Sequence, residues 1–205
     1  MAGLSEVSTL FGQRAGDLDK GRRIFISEIR HFTEQAISAL KQIRSTPWVN
    51  ARVRLDLPRE IDFDKTQARE LTGHFASGRV ELRFKKETKF VVVAEITFGF
   101  TFDEDSDGYA WQITLIPSSK YPLLDDKLWN TWKTSSQASA MPGATRHEKA
   151  STVGFVSRAL DAALSPQTAF NDVKHVLDFL LGSGATIADA VGIDLTSEER
   201  EEPNP

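Results

Sequence analysis

Asp103, Asp105 and Asp107, followed by Gly108, are the residues whose types and spacing come nearest to a named chemistry in this chain. A helix-loop-helix calcium site takes oxygen ligands from positions 1, 3 and 5, bends at a glycine at 6, uses the carbonyl of 7 and closes with a bidentate Glu at 12. Here Tyr109 supplies the carbonyl, but the closing place is held by Thr114, which has no second oxygen to chelate with. Both flanks alternate as strands do. Half a motif is present, and the sequence assigns the stretch chiefly to a hairpin tip. Asp105-Ser106-Asp107-Gly108 suits a type I turn with glycine last. Calcium is the minor reading, and no other cofactor is expected.

Glu87 and Lys89 have the Glu-x-Lys spacing of a metal-dependent nuclease core, but they precede their strand and sit in a lysine-rich turn. His147 and Glu148 could pair as acid and base, though Glu148 with Thr145 equally resembles a helix cap. Asp125 and Asp126 join them as the polar residues that a catalytic pocket would gather. His31, His74, His147 and His175 show no metal-ligand spacing. No phosphate-cradling glycine loop or serine nucleophile elbow is present.

A third group is cationic. Arg52, Arg54, Arg79, Arg83 and Lys85 fall on the outward parity of two strands, which would make a basic plate if those strands pair. Sheets that bind single-stranded nucleic acid also present outward aromatics for stacking. Here Phe84, Phe90, Phe98 and Phe100 fall on the inward parity, which argues against nucleic acid and for solvating charges or a protein contact.

Several elements must position these residues. Ile26, Ile29, Phe32 or Thr33, Ile37, Leu40 and Ile43 recur at spacings of three and four, predicting a helix over 19–44. Pro47 ends it, and alternation begins: Val49, Ala51, Val53, Leu55 and Leu57 on one face of a strand. Residues 58–78 read as loop with a helical turn or two, interrupted by Gly73 and Gly78. Val80, Leu82 and Phe84 then alternate inward. Phe90, Val92, Ala94, Ile96, Phe98, Phe100 and Phe102 make one face of a long strand, central because its other face is half apolar. Trp111, Ile113 and Leu115 complete a meander that Pro117 stops. A short helix is predicted within 122–133, a small-residue loop over 134–147, helices over 149–164 and 166–181, and a flexible Gly-Ser-Gly joint at 182–184.

Charge is unevenly distributed. Residues 1–100 hold 17 Lys/Arg against 13 Asp/Glu, and the rest hold 8 against 16, so a formal net charge of −4 divides into +4 and −8. That imbalance admits a local anionic partner but not strong whole-protein attraction to nucleic acid. No cysteine is present, excluding disulfides and thiolate chemistry, and no apolar run approaches the ~20 residues of a membrane span. The N-terminal residues lack the layout of a secretory signal, so cytoplasm is the expected compartment.

The expected fold class is α+β, an N-terminal amphipathic helix packed on a four-stranded antiparallel meander and followed by C-terminal helices. The expected divisions are 18–134 for helix plus sheet, 148–182 for the C-terminal helical section and 183–205 for a flexible acidic tail. The expected function is a non-enzymatic cytoplasmic adaptor working through protein-protein contacts, with room for a homo-oligomer and no membrane. Its contact residues would be Arg52, Arg54, Arg83 and Lys85 on the strands and Ile187, Val191 and Ile193 in the tail. An α+β small-molecule-binding or hydrolytic enzyme with a dispersed site is the alternative, and a nucleic-acid module on the basic sheet face is the third.

Overall fold

The computed structural model describes residues 20, 27–29, 31–40, 53–56, 74–103, 108–141, 143–147, 151–160 and 164–195. Helix α1 is described at 27–29 and 31–37. It buries Ile29, Thr33, Ala36, Ile37 and Leu40 at the predicted spacings. Thr33 is fully covered, and its Oγ1 donates to the Ile29 carbonyl at 2.9 Å, so the hydroxyl is not left unsatisfied. The ends of this helix lie outside the described residues.

The strands that follow are β1 (Val53–Asp56), β2 (His74–Lys86), β3 (Lys89–Asp103) and β4 (Gly108–Pro117). They pair consecutively and antiparallel, as the meander requires. The sheet does not stop at four. β5 (Thr145–His147) and β6 (Thr152–Ala159) extend it, and the strand order is β1-β2-β3-β4-β6-β5. Helices α2 (Leu124–Thr134) and α3 (Ser136–Ala140) precede these two strands, and α4 (Pro166–Gly182) and α5 (Gly184–Ala190) follow them.

Several further expectations are corrected. The helix predicted over 149–164 is replaced by β6, because the spacing of its apolar residues comes from a bulge rather than from helical periodicity. Leu115 pairs with Val153, Thr114 with Gly154 and Ile113 with Val156, so Phe155 is an extra residue. Val153, Phe155 and Val156 are therefore all buried, a pattern that strict alternation does not produce. The predicted loop over 134–147 contains α3, capped by Ser135 Oγ accepting from the Ala138 N–H at 3.3 Å, and then β5. β2 begins at His74, inside the stretch read as loop, because a second bulge between Phe75 and Gly78 carries Gly78 into the strand. The Gly-Ser-Gly joint is packed: Ser183 is buried between two helices and its Oγ donates to the Phe179 carbonyl at 2.7 Å.

β3 holds the bulge with the largest effect on the surface. Leu82 pairs with Ala94 and Arg83 with Val92, leaving Val93 unopposed. Beyond that point the faces exchange. Val93 is fully buried, whereas Val92, predicted inward, is 38% exposed. From Ala94 onward the predicted parity holds, with Ile96, Phe98 and Phe100 in the core.

One apolar cluster unites α1, the inner face of the sheet, α2, α4 and α5. Two aromatic groups anchor it. Phe32 of α1 meets Phe100 and Trp111 edge-on at centroid distances of 5.2 and 6.0 Å. Trp132 of α2, Phe155 of β6 and Phe179 of α4 meet mutually at 4.8 to 5.7 Å. Edge-to-face pairs of this kind add about 0.5–1.5 kcal/mol each to their area burial. Gly143, at φ +74°, turns the chain towards β5; a Cβ there would lie 2.5 Å from the Ser157 carbonyl oxygen, so both conformation and space demand glycine. No described helix is long and apolar enough to cross a membrane.

Candidate interaction surface

Because the described helices gather on one face of the sheet, the residues of opposite parity make its other, outer face. Ladder pairing sets them in rows. Arg79, Thr97, Thr114, Gly154 and Thr145 form one row across five strands. Glu81, Glu95 and Ile116 form the next, and Arg83 and Val92 the next beyond it. On the other side of the threonines lie Gly99, Gln112 and Ser157. The bulge at Val93 delivers Val92 to this face. With Ile116, 42% exposed, it places two large apolar side chains among polar ones.

The charges on this face are paired along a strand and diagonally between strands. Arg79 Nη1 lies 3.5 Å from Glu95 Oε1, and Arg83 donates to Glu81 Oε2 from Nε at 3.0 Å and from Nη2 at 2.6 Å. Across the strands like stands beside like: Glu81 opposite Glu95. Directly opposed like charges oppose pairing, and the ion pairs along and diagonal to the strands offset this.

The predicted contact residues are only partly brought together. Arg54 stands opposite Arg83 in the ladder, and Lys85 is half-buried near the turn of the β2–β3 hairpin. Arg52 lies outside the described residues. The basic plate is thus interrupted by Glu81 and Glu95, and Phe84, Phe98 and Phe100 are buried on the other side, leaving nucleic acid without the stacking surface that reading needs. In the tail, Ile187 is fully buried, Val191 is buried and Ile193 packs against the core. Their apolar surface is used within the molecule. Hydrophobic spacing alone cannot tell a docking helix from one already docked.

Of the three calcium-loop aspartates, Asp103 ends β3, where its backbone pairs with Gly108; Asp105 and Asp107 lie outside the described residues. No group of three or more potential metal-holding side chains occurs among the described residues. Glu87 and Lys89 are exposed at the β2–β3 turn, Glu87 with φ +55°.

The alternative pocket residues do converge in part. Arg146 of β5 places Nη2 3.2 Å from Asp125 Oδ2 and 2.7 Å from Asp126 Oδ1. Asp125 is almost fully buried, and its Oδ1 has no hydrogen-bond partner among the described residues. Both carboxylates sit in the first turn of α2, where the helix dipole favours negative charge. The sequence offered Asp125 and Asp126 but not Arg146, since nothing in a three-residue edge strand marks a half-buried guanidinium. His147 pairs with Thr152 in the ladder, and Glu148 lies outside the described residues.

Elsewhere, a shallow cleft of about 340 Å³ is lined by Ala185, Ala188, Asp189, Ile193, Asp194 and Leu195. Lys127 pairs with Asp189 at its edge, tying α2 to α5. Asp178 of α4 also has a buried Oδ1 without a partner among the described residues. Burial holds its carboxyl above the usual range, against the opposing pull of Lys174 and His175. No protein-family model matches this chain, and neither does any curated protein or solved structure.

Proposed function

We propose that this protein is a non-enzymatic adaptor of the cytoplasm, acting through protein-protein contacts, and that the outer face of its sheet is the contact surface. The observation that carries the reading is the pair Val92 and Ile116, large apolar side chains exposed among paired charges on that face. Contact surfaces combine such apolar positions with a polar surround whose charges set orientation. The measurement is recovery of partners from native extract with wild-type and Val92→Glu/Ile116→Glu baits, both checked for cooperative melting. Partners held by the wild type and lost by the variant support the reading; equal recovery by both removes this face from it.

The enzyme reading rests on Asp125, a buried carboxylate with an unmet acceptor beside Arg146. Buried polar groups without partners call for an explanation, and a bound polar ligand is one. Thermal-shift screening of polar metabolites tests it. A ligand that raises the melting temperature of wild type but not of Asp125→Asn would favour it over the adaptor reading.

A further inference from the structure

The charges of the outer face follow a rule that determines which kind of protein fits it. Along β2 the sign alternates over three outward positions, Arg79, Glu81 and Arg83, before Lys85 repeats the positive sign. Across the sheet the two middle rows carry no opposite charge: Glu81 stands beside Glu95 and is followed by Ile116, and Arg79 is continued by Thr97 and Thr114. The face is therefore striped, and the stripes lie across the strands. Between the arginine-threonine stripe and the glutamate stripe runs the inward row Val80, Ile96 and Leu115.

A striped face of this kind is complementary to itself. A twofold axis laid along the Val80–Ile96–Leu115 row exchanges the two stripes that flank it, because they are equidistant from it. Arg79 then faces Glu81 of a second copy, and Glu81 faces Arg79 of that copy. The same operation sets Thr97 against Glu95 and Thr114 against Ile116. No like charges meet among these pairs. Stacked sheets lie about 10 Å apart, a gap that an arginine and a glutamate reaching from opposite sides can span. Twofold, self-complementary contacts are the commonest form of soluble oligomer.

We propose that the outer sheet face is closed by a second copy of this chain, across a twofold axis over the Val80–Ile96–Leu115 row. This inference rests on the proposed use of that face for protein contact and names the partner. A partner of a different sequence would have to supply the complementary stripes independently; a second copy has them already.

The test is sedimentation velocity on the full chain at micromolar loading. Wild type is expected to be a dimer. Arg79→Glu sets the new carboxylate against Glu81 twice over, and Glu81→Arg sets the new guanidinium against Arg79 twice over, so each variant alone should weaken the dimer by at least about tenfold. An equimolar mixture of the two variants should form the dimer again, since position 79 of one then meets the opposite charge at position 81 of the other in both contacts. The double variant Arg79→Glu/Glu81→Arg should likewise dimerise on its own. Each single variant breaks an ion pair within its own chain, so recovery on mixing cannot come from repair of the monomer. A monomeric wild type, single variants that remain dimeric, or a mixture that stays monomeric each overturns the proposal. A monomeric wild type that still recovers a different protein through Val92 and Ile116 overturns the dimer alone and leaves the adaptor reading standing.

Discussion

Arg158 of β6 holds Asp172 of α4 by two parallel contacts, Nε to Oδ2 at 2.6 Å and Nη2 to Oδ1 at 2.7 Å. Asp172 is buried, and its hydrogen bond to the guanidinium holds Arg158 above its ordinary pKa, with burial opposing and the carboxylate charge adding. This fork fastens the last helical layer to the strand that replaced an expected helix. Arg158→Met strands a buried carboxylate and is expected to cost about 3 kcal/mol in urea unfolding, whereas Arg158→Met/Asp172→Leu should recover most of that loss.

The bulge at Val93 reverses which of two neighbouring valines matters. Val93→Thr buries a hydroxyl and is expected to cost roughly 1–3 kcal/mol, while Val92→Thr stays within about 0.5 kcal/mol. Denaturant midpoints of the two variants check this. Equal losses would place both side chains in similar surroundings and contradict the bulge.

Glu87 occupies the first place of the two-residue turn between β2 and β3 at φ +55°, a conformation that glycine adopts without cost. Glu87→Gly is expected to stabilise the chain by about 0.5–1 kcal/mol, read as a raised melting temperature.

Asp178 gives a pH dependence of definite sign. Its folded carboxyl is raised by burial, so the folded state holds the proton more tightly than the unfolded chain. Ionisation therefore destabilises: stability from this group is present at low pH and falls as pH rises through the raised folded value. Asp178→Asn should raise the melting temperature by roughly 1–2 °C near neutrality, and the gain should shrink as pH falls through the carboxylate range. A gain that grows on acidification would reverse the assignment.

For the three aspartates at 103, 105 and 107, the turn reading predicts no heat in a calorimetric titration with millimolar calcium and no change in melting temperature. Heat that disappears in Asp103→Asn/Asp105→Asn/Asp107→Asn would instead establish a metal loop.

The meander was legible because Val80, Leu82, Phe84, Trp111, Ile113 and Leu115 alternate without interruption, and burial follows such alternation directly. α1 and α4 were legible for the corresponding reason, Ile29, Thr33, Ile37 and Leu40 keeping one side of a helix and Ser165-Pro166 opening the other. The inward placing of Val92 and the helix expected over 149–164 failed at bulges. One extra residue, Val93 or Phe155, changes the phase of the pattern, and no local residue type announces it. The contact surface was half legible: Arg79, Arg83 and Lys85 carried the outward parity and Glu81 stands two places from Arg83, but the pairing of Arg79 with Glu95 depends on a register between two strands. Arg146 and Asp125 meet across 21 positions, a separation that no motif spans.

Ser183 changes where this protein can be cut. Gly184, Ile187, Ala188 and Val191 all lie beyond it and are buried. A chain ended at 183 would open a wall of its own interior, and any loss of activity would report collapse as readily as a missing contact. Shortening after Leu195 leaves that wall standing, so a deletion made there asks about residues 196–205 alone.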